Sequence, residues 1–357
     1  MLTDQQITII QENQSVGIQQ KSLSDNQLKL IYQYNWFNIW VPKQLNGLEL
    51  TFPSGLELIE ELAYWDAGLA WTITLCSGAN MFAGFIEPSL ATQIWQDPKV
   101  CLGGSGRVGG MAIKDANDFI ISGFWSYATG APHLTHFTLN AKIVQNGQEL
   151  LDENGEPVYY SFFVPREHVL FHYDWDTFGL ECTASHSFSL ENVRIPQENA
   201  FILAPHAKKN ESPLFNIPFL PFAELTLLMN YIGMFKRFLD LSEKYYFEKS
   251  KDPNWVSTYS KLRFRTLDQM RTSFEIHVEQ IKKLADLVWD NAEKNKITEP
   301  EILDSISSLS KDLVKNIKLN AIDLLPNLGI RAAQRENELN IVFRNLFTAS
   351  QHRLLNI

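Results

Sequence analysis

The stretch GGSGRVGGMAIKDANDFIISG, Gly103 to Gly123, contains Gly104-Ser-Gly-Arg-Val-Gly109, a match to the G-x-G-x-x-G loop by which many enzymes hold a dinucleotide. That loop binds pyrophosphate only where a strand feeds the glycines and a helix leaves them, because the helix N-terminus supplies free N–H groups and the positive end of its dipole. Here the glycines run into Met111-Ala-Ile-Lys, a polar turn at Asp115-Ala-Asn-Asp118, and then Phe119 to Tyr127, rich in β-formers and without helical period. The stretch predicts a hairpin. The dinucleotide fingerprint also needs an acidic residue about 20 positions on, and none occurs between Asp118 and Glu149. The glycines are therefore expected to bring one strand close to its neighbours.

Working outward, residues 99–205 alternate short β-rich runs with turn signals such as Asn146-Gly147 and Asn154-Gly155. Strands are predicted at Met111–Ile113, Phe119–Tyr127, His136–Val144, Val158–Val164, Val169–Tyr173 and His186–Val193, forming an antiparallel β-barrel or sandwich. Residues 1–98 read as helices with short breaks: Ser54-Gly-Leu-Glu57 fits a capping box, and Pro88 suits the first turn of a helix over Ser89–Gln96. Residues 206–357 carry helical period over Ala223–Lys249, Val256–Glu293, Glu299–Leu325 and Glu338–Leu355, which predicts a four-helix bundle; Thr298-Glu-Pro-Glu301 is expected to cap the third helix and Pro326 to end it. Helices, then strands, then helices make this an α+β chain.

Composition narrows the function classes. A net charge of −10 leaves no concentrated basic face for nucleic acid. The 23 Phe, 11 Tyr and 9 Trp suggest an aromatic-lined cavity. The three cysteines are far apart, so neither a disulfide framework nor a zinc site is indicated, and a cytoplasmic setting fits. Ala67 to Ile86 runs 20 residues without a charge, but Thr72, Thr74, Ser77 and Asn80 interrupt it and no basic cluster flanks it, so a buried helix is expected rather than a membrane span.

Three stretches, in order, resemble the acyl-CoA dehydrogenase superfamily over nearly the whole chain. Ile39-Trp-Val-Pro-Lys-Gln-Leu-Asn-Gly-Leu-Glu49 is similar to that family's P-x-x-x-G-G turn, with Asn46 for the first glycine. Gly123-Phe-Trp-Ser-Tyr-Ala-Thr-Gly130 is similar to its strand ending in Trp, a hydroxyl residue and Gly. Trp175 to Ser185 followed by Val193-Arg-Ile-Pro196 is similar to G-L-R-x-T-G-S … V-P, with Glu181 for the arginine. The resemblance implies FAD or FMN bound between a central β region and a C-terminal bundle, with Trp125, Tyr127, Thr129, Gly130, His133, Thr183, Ser185 and Arg344 as cofactor-binding candidates. Such a site needs a flat apolar wall and short hydroxyl or backbone donors. Residues of those types are present. His133 and His136, three apart outside a helix, do not suggest a metal.

The C-terminus, Ile341-Val-Phe-Arg-Asn-Leu-Phe-Thr-Ala-Ser-Gln-His352, resembles the superfamily's flavin-dependent monooxygenases, which end in R-x-W-R-D-x-x-T-x-x-x-H and receive reduced flavin from a separate reductase. The spacing predicts Arg344, Thr348 and His352 on one helix face. The resemblance gives His352, together with Thr129, a catalytic role on a small hydrophobic or aromatic substrate. Ile341, Phe343 and Asn345 depart from that pattern, and the neutral Asn345 puts the positioning of Arg344 in question. Two other readings stand beside this one. An acyl-CoA dehydrogenase would use Glu224 as its base, and a non-catalytic relative would keep only the scaffold. Relatives of this kind self-associate, so a homodimer or homotetramer is expected.

Overall fold

A computed structural model describes residues 1–356. The chain opens with helices α1 (Asp4–Gln20), α2 (Asp25–Gln33), α3 (Phe52–Trp65), α4 (Ala67–Asn80) and α5 (Pro88–Ile94). Thr3 and Ser24 each form reciprocal capping boxes with a glutamine three residues on, which satisfies the free N–H groups at the starts of α1 and α2. The cap predicted at Ser54 lies instead at Thr51, whose hydroxyl accepts from the Ser54 N–H, because Pro53 fits the first turn and lets the helix start earlier. The uncharged α4 is buried along almost its whole length. Among the described residues no helix is long and apolar enough to cross a membrane. Its polar residues are matched internally: Thr72 and Thr74 donate to carbonyls four residues back, and the Asn80 amide bridges Asn38 and the Leu102 N–H.

The middle of the chain is one eight-stranded sheet: β1 (Leu102–Asp115), β2 (Asp118–Ala128), β3 (His136–Gln145), β4 (Gln148–Glu149), β5 (Tyr159–Pro165), β6 (Leu170–His172), β7 (His186–Pro196) and β8 (Ala200–Phe201). The order is β6-β7-β2-β1-β3-β5-β8, with β4 on β3. Two expectations are corrected here. The sheet is mixed, since β1 and β3 are parallel, and it is open, since β6 and β8 are unpaired edges. The turn after β2 carries the chain to the other side of β1, so β3 runs alongside β1 rather than against it. The sheet is nevertheless strongly curled. Phe137 on β3 meets Phe188 on β7 at 4.8 Å between ring centroids, across its concave interior.

The glycine stretch lies wholly inside β1, with no helix after it. At Gly104 a side chain would collide with the Thr138 backbone on β3, at the first of two register shifts in the β1–β3 ladder. Gly109, Gly110 and Gly123 leave room for the indole of Trp125.

The last region holds α6 (Phe219–Lys249), the short α7 (Pro253–Trp255) running through a π turn into α8 (Lys261–Glu293), α9 (Pro300–Leu324) and α10 (Glu338–Ala349). The Thr298 cap is not formed, since Glu299 occupies the cap position without a side-chain bond. The last helix stops at Ala349 rather than Leu355, so His352 lies beyond it and does not share a helical face with Arg344 and Thr348.

Candidate active site

A cavity of about 160 Å³ lies between the sheet, α4 and the start of α6. Its floor is the convex face of the sheet: Gly103 to Gly106 from β1, Thr138 and Asn140 from β3, and Ser161 from β5. Its roof is apolar, with Phe82, Phe219, Phe222 and Leu227. Phe82 meets Phe219 edge-on and Phe219 stacks on Phe222, so the roof is a continuous aromatic surface. Thr129, at the end of the Trp125 strand, lines one end.

Thr129 belongs to a buried chain of hydroxyls. Thr183 Oγ1 donates to the Leu180 carbonyl at 2.9 Å, Ser185 Oγ lies 2.8 Å from Thr183 Oγ1, and Thr129 Oγ1 lies 2.9 Å from Ser185 Oγ. Each hydroxyl has one proton. With Thr183 committed to Leu180, Ser185 donates to Thr183 and Thr129 donates to Ser185. In that arrangement Thr129 presents lone pairs; the Leu180 carbonyl also accepts from Trp175 Nε1 and from the Thr183 N–H, both at 3.1 Å. Gly130 holds the turn. Its φ of +75° is left-handed, and its N–H donates to the Thr183 carbonyl at 2.8 Å.

His133 follows on the same turn. It is largely buried with Nε2 unpartnered, and its pKa is lowered to about 4, first by burial and then by the Arg166 guanidinium. It is a neutral ring at ordinary pH. Its neighbour Leu134 packs on Gly103 at the cavity floor, while His133 does not line the cavity.

The remaining sequence candidates fall elsewhere. Trp125 lies inside the curled sheet, 1% exposed, stacked on Phe188 at 5.4 Å and donating to the Asn140 carbonyl, so it is core rather than a wall of the cavity. Tyr127 sits at a β-bulge with φ +70° and is exposed, edge-on to Trp175. Glu224 is buried, but Ser307 donates to it at 2.7 Å and Lys311 approaches at 3.9 Å, which turns it toward α9 and away from the cavity. Burial raises its pKa, and the Ser307 and Lys311 contacts oppose that. His352 is half-buried with its ring edge-on to Trp71 of α4 at 5.8 Å, and burial lowers its pKa.

Arg344 is fully engaged. It pairs with Glu181, each side chain largely buried, and donates to the Phe178 carbonyl at 2.7 Å and to Asn340 at 2.9 Å. The Asn345 side chain accepts from the Leu180 N–H at 2.7 Å. The departures at 181 and 345 therefore answer one another: Glu181 supplies the carboxylate for Arg344, and Asn345 anchors the loop that carries Thr183. Among the described residues no cluster of histidine, cysteine and acidic side chains could hold a metal. The cavity floor of Thr138, Asn140 and Ser161 escaped sequence reasoning. The polar members of β3 alternate with Phe137, Leu139 and Ala141, and that alternation was the available signal.

The donor set suits the polar edge of a flavin. A buried hydroxyl chain, a left-handed glycine turn and an orphaned buried imidazole nitrogen gather at the end of the Trp125 strand, which matches a planar ring with polar atoms along one edge.

No family model matches the chain. It is 21% identical over 327 residues to the pigment production hydroxylase of a Rhodococcus species, covering 88% of this chain and 82% of that protein. It is 23% identical over 300 residues to the oxygenase component of p-hydroxyphenylacetate 3-hydroxylase from Acinetobacter baumannii, covering 79% and 67% respectively. Among solved structures it is similar to XiaF from a Streptomyces species, in complex with FADH2 and glycerol, with a TM-score of 0.84, 20% identity, and 99% of this chain and 90% of that one covered. The fold is shared along essentially the whole length.

Proposed function

We propose that the chain is the oxygenase component of a two-component flavin-dependent monooxygenase, a protein that takes reduced FAD or FMN from a separate reductase and hydroxylates a small aromatic substrate. Reduced flavin, when bound, supplies the electrons that activate O2 for transfer of one oxygen atom to the substrate. The observation that carries the reading is the buried hydroxyl chain that ends in Thr129 at the cavity. Reduced flavin has an N–H at N5 where the oxidised form has a bare acceptor, and a Thr129 oxygen presenting lone pairs is complementary to the N–H form. Ser185 and Thr183 hold that polarity, and the Gly130 N–H bond to Thr183 keeps the two strand ends together. The buried and neutral His133 and the half-buried His352 are proton acceptors at neutral pH rather than fixed charges. The apolar roof excludes water from one face of the substrate.

The dehydrogenase reading is disfavoured, because α-proton abstraction needs a carboxylate at the substrate and among the described residues no acidic side chain lines the cavity. The test supplies the purified chain with a flavin reductase, NADH and labelled O2 in the presence of simple aromatics. Label in a hydroxylated product supports the proposal. Reduction of bound flavin by an acyl thioester, with no label transferred, overturns it.

A further inference from the structure

The lining of the cavity also restricts the chemistry of the substrate. Among the described residues no Lys, Arg or His lines it; Arg107, next to Gly106 in sequence, is exposed and not part of the lining. A carboxylate bound there would lose its water without gaining a counter-charge. Most of the polar groups that do line it are already committed. Thr74 and Thr226 donate to carbonyls of their own helices, Ser161 donates to Asn140, the Asn140 amide donates to the Gly106 carbonyl, and the Thr129 hydroxyl is hydrogen-bonded to that of Ser185.

Two hydroxyls of the lining keep their protons uncommitted: Ser105, which accepts only from the Arg107 N–H at 3.5 Å, and Thr138. Thr138 is 7% exposed and lines the cavity, and none of the side-chain hydrogen bonds on that floor involves its hydroxyl. Its placement follows from strand alternation: Phe137 and Leu139 are fully buried on one side, so Thr138 and Asn140 face the other, opposite the aromatic roof. The cavity volume of about 160 Å³ is close to the ~150 Å³ that accommodates benzene in an apolar protein cavity.

We propose that this site takes a neutral aromatic molecule of about one ring bearing a hydroxyl or a ring N–H, and that Thr138 is the specificity residue that bonds that group. The assignment rests on the oxygenase reading for its biological meaning but concerns binding alone. It sets this chain apart from the relative named for p-hydroxyphenylacetate, whose substrate carries a carboxylate.

The test is equilibrium binding to the purified chain, without reductase or O2, by calorimetry, comparing 4-methylphenol, 4-hydroxyphenylacetate and toluene. Expected is binding of 4-methylphenol about a hundredfold tighter than of 4-hydroxyphenylacetate, as burial of an unpaired charge requires. Thr138→Val should weaken 4-methylphenol about fivefold to tenfold, the size of one neutral hydrogen bond. It should leave toluene unchanged, and Thr138→Ser should restore the phenol. Equal or tighter binding of the carboxylate, failure of all three to bind, or a Thr138→Val protein that folds and binds 4-methylphenol like the parent would each overturn the proposal. The two proposals fail separately. Phenol-selective binding with no oxygen transfer defeats the oxygenase reading alone, and oxygen transfer that favours carboxylates defeats this one alone.

Discussion

At Thr129, Ser185 and Thr183 the chemistry turns on which way the protons run: with Thr183 donating to the Leu180 carbonyl, Ser185 donates to Thr183 and Thr129 to Ser185. Ser185→Ala breaks the chain in its middle and frees Thr129 to rotate its proton toward the cavity. We expect reduced FMN or FAD to bind about tenfold more weakly to that variant, while affinity for the oxidised form changes less; anaerobic titration of both forms measures the contrast. Trp125 gives a different expectation. Because its ring fills the curled sheet against Phe188 and three glycines, Trp125→Phe should cost about 1–3 kcal/mol in unfolding free energy by opening a cavity, with reduced-flavin affinity unchanged in the same titration. The hydroxyl candidates entered through the family resemblance, since threonines and serines beside a strand have many other uses and no local period marks them. The role of Trp125 was not legible, since a tryptophan on a strand reads the same whether it faces a cofactor or the core.

Among the elements, α10 and the loop of residues 178–183 form one unit. Arg344 and Glu181 are buried together, and Asn345 fastens the same loop. Removing one partner of such a pair leaves an uncompensated charge, which costs about 3–5 kcal/mol, whereas replacing both with apolar residues of similar size is close to neutral. Chemical denaturation should therefore show Glu181→Met and Arg344→Met each strongly destabilised and the Glu181→Met/Arg344→Met double variant substantially recovered. Additive losses would show that the two side chains act independently. The sequence presented Glu181 and Asn345 as two separate departures from a pattern, because Glu181 and Arg344, 163 positions apart, have no reason to be read together until the fold pairs them. His352 illustrates the converse. Its helical spacing from Arg344 was real in sequence, but α10 ends at Ala349, so the face it predicted does not extend that far.

For the molecule as a whole, burial of titratable groups sets the response to acid. His133 is displaced from 6.5 to about 4, so between those values the unfolded chain takes up a proton that the folded chain refuses. Its contribution is complete above pH 6.5 and is lost as pH falls toward 4, by up to about 3 kcal/mol. Asp66, fully buried and serving as the N-cap of α4, is raised to about 6 chiefly by burial. The folded chain then binds the extra proton, so Asp66 adds stability as pH falls from about 6 toward 3.8. The two oppose each other. Thermal unfolding across pH 7 to 4 should show a flatter acid decline in His133→Asn than in the parent, and a steeper one in Asp66→Asn, which keeps the capping oxygen. Parallel profiles for all three proteins would remove both assignments.

Alternating β-formers after Gly110, turn dipeptides and long amphipathic runs settled the order of helices, strands and helices, because those periods reflect local geometry that every neighbour obeys. They also excluded a phosphate loop at Gly104–Gly109. Whether β3 lies parallel or antiparallel to β1, and whether the sheet closes, was decided only in three dimensions, since side-chain alternation along a strand is the same in either pairing. The same holds for the cavity. Thr138, Asn140, Ser161 and the phenylalanines of α6 come from segments that are distant in sequence, and only their packing makes them the floor and roof of one site.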